Sequence, residues 1–251
     1  MFDMHVKTVV ERVQTVILRV GFESILKIET KESAMRQVPA DKYNIAWFKL
    51  AEFVARGEKE RALGIYRLLL HSFNDRAFSY QLEGDLLWSF SDEQAIDKYL
   101  AAAQLYFKEN RFNEAIAIYE LLVSLRPNHE QYIHQLIELY QTVKNTQRLV
   151  ATTENLCDLM LERSDWVSAH QFIVRCEKIT SREQCVPLYQ KYALALIKDA
   201  QSPQHEVKKA IQSFLDRAIE DTQTAVLQQF LTTVEMISKE YYQIACGLLK
   251  K

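Results

Sequence analysis

Apolar residues recur at intervals of three and four along almost the whole chain. Trp47, Leu50, Ala51 and Val54 fall on one helical face, and Leu136, Leu139, Tyr140 and Val143 repeat the spacing. Strand-like alternation is nowhere sustained. Between the periodic stretches lie short polar breaks: Val38-Pro39-Ala40-Asp41, Arg56-Gly57-Glu58, Phe73-Asn74-Asp75, Phe90-Ser91-Asp92, Glu109-Asn110-Arg111, Arg126-Pro127-Asn128, Lys144-Asn145-Thr146, Arg163-Ser164-Asp165, Thr180-Ser181-Arg182 and Ser202-Pro203. Several place a Ser, Asp or Asn where a helix start needs a side-chain acceptor for its free amides. The pattern predicts about eleven helices, joined by connections of roughly two to four residues, which force consecutive helices to run antiparallel.

Composition narrows this further. Of 251 residues only 5 are Gly and 4 are Pro, too few for the turns of an all-β fold or for a linker-rich chain. The 48% hydrophobic and 25% charged content is that of a globular protein. Net charge is −2, and no segment is basic, which gives no electrostatic footprint for nucleic acid. Residues 92–163 hold 7 basic and 11 acidic side chains, a mild preference for a basic partner. No apolar run is long enough for membrane insertion. The start, Met1-Phe2-Asp3-Met4-His5, lacks the basic end of a secretory signal, so a cytoplasmic location is expected.

One stretch is unusually regular. Ala103, Tyr106, Asn110, Ala115, Tyr119, Leu122 and Pro127 place two small residues where helices approach, two aromatics beside them, a turn at Asn110-Arg111-Phe112 and a stop at Pro127. This stretch, within Ile96–His129, resembles the tetratricopeptide repeat, a 34-residue helix–turn–helix. A second unit, Glu130–Arg163, keeps Tyr140 but carries Leu149 where Ala is expected, and weaker echoes extend the resemblance over about 41–180. The resemblance implies an all-α, right-handed α-solenoid of antiparallel helix pairs with long terminal helices. It divides the chain into an N-terminal helical segment (1–40), TPR-like repeats (41–200) and a C-terminal helical cap (201–251).

At the ends, Val6, Val9, Val13, Val16 and Val20 form one apolar stripe, and Leu227, Phe230, Val234, Ile237, Tyr241, Ile244 and Leu248 form another over three heptads. Each is either a cap on the repeat stack or the seam of a homodimer.

Chemistry-bearing patterns are sparse. Gly21, Gly57, Gly64, Gly84 and Gly247 are solitary, so no phosphate loop is built. Gly57 is expected in a turn and Gly84 at a close helix contact. His129 and His134 sit roughly 140° apart on a helix. His170, Cys176 and Cys185 do not make the short-spaced pairs of a zinc site. Cys157 and Cys176 suit small core positions, and the four cysteines together fit reduced core residues. A Cys157–His129 pairing lacks an orienting third group. The aromatics, including Trp47, Trp88 and Trp166, lie on apolar faces without interleaved Arg or Lys, as core residues do.

The expectation is therefore a non-catalytic scaffold, with no metal or cofactor and a protein or peptide partner. A module of a larger signalling protein and a chaperone for secreted proteins are the alternatives, and an enzyme is a more remote one. The resemblance also implies a peptide-binding groove lined by the first helix of each unit. It assigns Asp97, Leu100, Gln104 and Phe107 in one unit, and Gln131, His134, Glu138 and Gln141 in the next. A clamp for a terminal carboxylate needs Lys or Arg and Asn here. Their absence predicts a partner held along an internal segment, with Leu100 and Phe107 as apolar contacts.

Overall fold

The protein was analysed as a computed structural model that describes residues 40–71, 73–220 and 224–249. The described residues form twelve α-helices and no strand. They are α1 (Ala40–Ala55), α2 (Lys59–Leu70), α3 (Arg76–Ser89), α4 (Ala95–Lys108), α5 (Phe112–Leu125), α6 (Glu130–Thr142), α7 (Thr146–Glu162), α8 (Trp166–Ile179), α9 (Arg182–Lys198), α10 (Gln204–Glu220), α11 (Thr224–Ile237) and α12 (Lys239–Leu249). The polar breaks read from the sequence fall at helix boundaries throughout these residues. The valine stripe from Val6 to Val20 lies outside them.

One turn recurs. Gly57, Ser91, Asn110, Lys144 and Ser164 each hold a positive φ, 72° at Gly57 and 56–60° at the other four. In each case the next amide reaches back across the turn: Glu58 N to Phe53 O, Asp92 N to Leu87 O, Arg111 N to Tyr106 O, Asn145 N to Tyr140 O and Asp165 N to Met160 O, at 2.8–3.0 Å. This is the left-handed helix stop that satisfies the last carbonyls. The following residue then opens the next helix at two of these turns: Asn145 Oδ1 accepts from Arg148 N, and Asp165 Oδ1 accepts from Ser168 N. Gly57 and Ser91 are 34 residues apart, and so are Asn110 and Lys144.

The C-terminal stripe is corrected. Leu227 to Leu248 is not one three-heptad helix, because Ser238 divides it. Its amide closes α11 on Val234 O at 2.8 Å, and its hydroxyl accepts from Tyr241 N at 3.4 Å to open α12. A serine hydroxyl competes with the helix ladder in this way. Phe230 and Val234 are wholly buried, Phe230 with its ring 4.3 Å from that of Phe214 on α10. These two seam positions are spent inside the protein's own core.

The chain forms two compact units, Met1–Leu125 and Arg126–Lys251. In the first, each of α1 to α5 packs on the next. Trp47, Leu50 and Val54 of α1 join Ala62, Tyr66 and Leu69 of α2 and Leu82 and Leu86 of α3 in one cluster. The tightest contact lies between α3 and α4. A Cβ on Gly84 would sit 2.8 Å from the Tyr99 ring, and the Tyr99 hydroxyl is anchored on Asp85 at 2.8 Å. Ala103, Ala115 and Leu122 are fully enclosed, as the helix–turn–helix pattern requires.

In the second unit each of α6 to α12 again packs on the next, and alternate helices also touch: α7 on α9, α9 on α11, and α10 on α12. In both units ion pairs join positions about one helix pair apart. Lys59 meets Asp92 at 2.6 Å and Asp75 meets Arg111 at 2.6 Å in the first. Asp158 meets Lys191 at 2.7 Å in the second, where Glu130 also pairs with Arg163. Exposed pairs of this kind contribute at most about 1 kcal/mol each, so they set register more than stability.

Candidate functional site

The groove residues fall as two quartets, one in each unit. On α4, Asp97, Gln104 and Phe107 face solvent and Leu100 is half-buried. Phe107 is 47% exposed although its ring rests 5.7 Å from Phe112, so a large apolar surface is left in water. On α6, Gln131, Glu138 and Gln141 face solvent and His134 is half-buried. Gln135 Nε2 donates to Glu138 at 3.4 Å, which leaves the carboxylate at the surface.

Within the second unit the α6 quartet continues onto further helices. The His134 ring lies 4.9 Å from Phe172 of α8. From α8 the surface passes to α10 through Glu177 and Arg217. Arg217 Nε and Nη2 donate to the two Glu177 oxygens at 2.7 and 2.8 Å, and the Tyr189 hydroxyl donates to the same carboxylate at 2.9 Å. The guanidinium lies 3.8 Å over the Tyr189 ring. Hydrogen bonds from Arg217 and Tyr189 hold the Glu177 carboxyl below its ordinary range.

A cavity of about 250 Å³ is lined by His170 of α8, Tyr192 of α9 and residues 206–213 of α10. Its walls are mostly apolar and include the His170 ring, Ala210 and the stems of Gln212 and Ser213. His170 stacks on Tyr192 at 5.4 Å and 27°. Burial, followed by the nearby Arg217 charge, pushes the His170 imidazole below its ordinary range, so it is neutral at pH 7. Glu206 and Lys209 at the rim pair with each other at 3.1 Å. One turn before His170, Val167 is 67% exposed.

In the sequence this cavity is hidden, because His170 stands out only as a candidate metal ligand and the division at 201 sets α10 apart from α8. The available signal was Val167 and His170 on α8, then Glu206, Lys209 and Ser213 on α10, spaced at three and four along two helices with α9 between them. The Cys157–His129 pair has no nucleophile in it. The Cys157 thiol donates to Ala169 O at 3.6 Å, and burial pushes it up to about 12. Among the described residues no group of three or more His, Cys, Asp or Glu is spaced to hold a metal ion, and no helix is long and apolar enough to cross a membrane.

These features describe a helical protein whose second unit carries a mixed-polarity surface and a small cavity. No family model matches the chain, and no curated protein matches it either.

Proposed function

We propose that the chain is a non-catalytic protein-interaction module of solenoid type, in which α6, α8 and α10 of the second unit present one surface to a segment of a partner protein. The observation that carries this reading is the cavity between α8 and α10, in line with the α6 quartet through the His134–Phe172 contact. Its chemistry selects the partner. Glu206 and Lys209 neutralise each other at the rim and His170 is uncharged, so the cavity favours an apolar or aromatic side chain over a charged one. Exposed Val167 extends the apolar contact along α8. Gln131 and Gln141 supply amide donors and acceptors for a peptide main chain, and Glu138 attracts a flanking Lys or Arg. The α4 row, with Phe107 exposed, is a candidate second surface in the other unit.

The test begins with peptides selected from a random displayed library on the full chain, their affinities then measured by fluorescence anisotropy. Filling the cavity with Ser213→Phe, or reversing charge with Glu138→Arg, weakens binding about ten-fold, equivalent to about 1.4 kcal/mol. Asn155→Arg, on the exposed side of α7, leaves affinity unchanged. Equal affinity in the filled variant, or loss in the α7 variant, rejects the assigned surface.

A further inference from the structure

Three helices of the second unit meet around a cluster of sulfur and hydroxyl groups that the interaction surface does not use. Cys176 lies near the end of α8 and Cys185 in the first turns of α9, and both are buried, at 2% and 0% exposure. Their Sγ atoms are 3.8 Å apart, in van der Waals contact. The Thr180 hydroxyl stands between them, 3.2 Å from Cys185 Sγ and 4.0 Å from Cys176 Sγ, and donates to Cys176 O at 2.9 Å. Thr153 of α7, a buried polar residue in an otherwise apolar core, lies beside this cluster and donates its hydroxyl to Leu149 O at 2.8 Å.

We infer that Cys176 and Cys185 form a reversible disulfide site, closed by a hydroperoxide-class oxidant and reopened by thiols. A disulfide needs its sulfurs at about 2.05 Å, so the pair must close by under about 2 Å. The donors are arranged unequally. The Cys185 thiol donates toward Cys176 Sγ, which lowers the Cys176 thiol against the effect of burial. Cys185 is raised by the same bond and by burial. Cys176 is thus the attacking thiolate and Cys185 the resolving thiol. The Cys176 thiolate attacks one peroxide oxygen, the O–O bond breaks, hydroxide leaves and takes up a proton as water, and a sulfenic acid forms. Cys185 sulfur then attacks the sulfenyl sulfur, its proton leaves with the hydroxyl as a second water, and the disulfide remains. Two thiols are oxidised and one peroxide is reduced to two waters.

Access to these buried sulfurs follows from the start of α9. Pro187 lies inside this helix and has no amide hydrogen, so the Glu183 carbonyl lacks its ladder partner. The capping box that holds the first turn, Ser181 with Gln184, consists of two exposed hydrogen bonds of 3.3 Å. A turn held this weakly opens locally at low cost, and it carries Cys185.

The full, reduced chain is exposed to hydrogen peroxide in native buffer, blocked with N-ethylmaleimide, digested with trypsin and analysed by mass spectrometry without reductant. Lys178 and Arg182 lie between the two cysteines, so a disulfide appears as two linked peptides. The expected product is the Cys176–Cys185 pair, two hydrogens lighter than the separate peptides and lost on adding dithiothreitol. Cys185→Ser, checked for its helical circular dichroism, instead accumulates a dimedone-trapped sulfenic acid on Cys176. Pro187→Ala restores the ladder bond and slows closure several-fold. Linkage of either cysteine to Cys157, oxidation confined to Cys246, or a Cys176–Cys185 link that forms only in urea overturns the inference.

Discussion

The helix pair α3–α4 and the pair α8–α9 solve the same packing problem with different chemistry. Between α3 and α4 the approach is set by Gly84 against the Tyr99 ring, closed by the Tyr99–Asp85 hydrogen bond. Between α8 and α9 it is set by Cys176 and Cys185, with Thr180 and neighbouring Thr153 supplying polar groups. The first contact has no slack and no reactive atom. The second trades tight fit for polarisable sulfur and hydroxyl groups, and its flank holds the His170 cavity and the Glu177–Arg217 pair. The contrast separates a helix pair that only holds the fold from one that also carries chemistry.

The largest expected effect breaks the first pair. Tyr99→Ala removes a wholly buried ring and destabilises the protein by about 3–5 kcal/mol. Gly84→Ala gains about 1 kcal/mol of helix propensity. It still destabilises, because the added methyl overpacks a ring that cannot withdraw, at about 1–3 kcal/mol. In the double variant the clash is gone, so the two costs are less than additive. Urea unfolding of the four proteins measures this, and strict additivity refutes the close contact.

Next comes the electrostatic side of the second pair. Glu177 and Arg217 are only 16% and 17% exposed, so Arg217→Met costs about 2 kcal/mol, between surface and buried pairs. The pH dependence carries the sign. Glu177 has a depressed folded pKa, so its stabilisation is complete above the ordinary carboxylate range and is lost as pH falls through the folded value. His170 is also depressed, so stability begins to fall once pH drops below about 6.5, where the unfolded histidine takes up its proton. Thermal unfolding between pH 7 and 3 therefore shows two descending steps. Glu177→Gln flattens the lower one and His170→Gln the upper one. A wild-type stability that is flat across this range contradicts both assignments.

The smallest effect concerns the turn that both units share. Lys144 and Ser164 hold a left-handed conformation that costs an L-residue roughly 1 kcal/mol, whereas Gly57 holds it freely. Lys144→Gly gains up to about 1 kcal/mol and Gly57→Ala loses a similar amount. Opposite signs in a denaturant titration are the expected outcome.

Much of this architecture was legible in the sequence. The polar breaks mark the helix ends because Asn, Asp and Ser caps are local, and Ala103 and Ala115 are legible as close-approach positions in the helix–turn–helix pattern. Gly84, a lone glycine inside a helical run, marks a close contact in the sequence, and the fold supplies the Tyr99 ring as its partner. Ser238 escaped because the apolar positions on either side of it stay in phase, so the pattern runs through the break. The cavity escaped because its walls come from three helices, and assigning 201–251 to a cap kept α10 apart from α8. Cys176 and Cys185 are nine residues apart across a turn, a spacing that matches no ligand motif. Only the fold makes them neighbours.

On the proposed function, α6, α8 and α10 form the partner-binding side of the second unit. Hydroxyl-radical footprinting, with and without a library-selected peptide, tests it most directly. Protection of His134, Val167 and His170 is expected on binding, with no change at Met236 of α11, which is 77% exposed in the free protein. Protection at Met236, with Val167 and His170 as reactive as before, would contradict it.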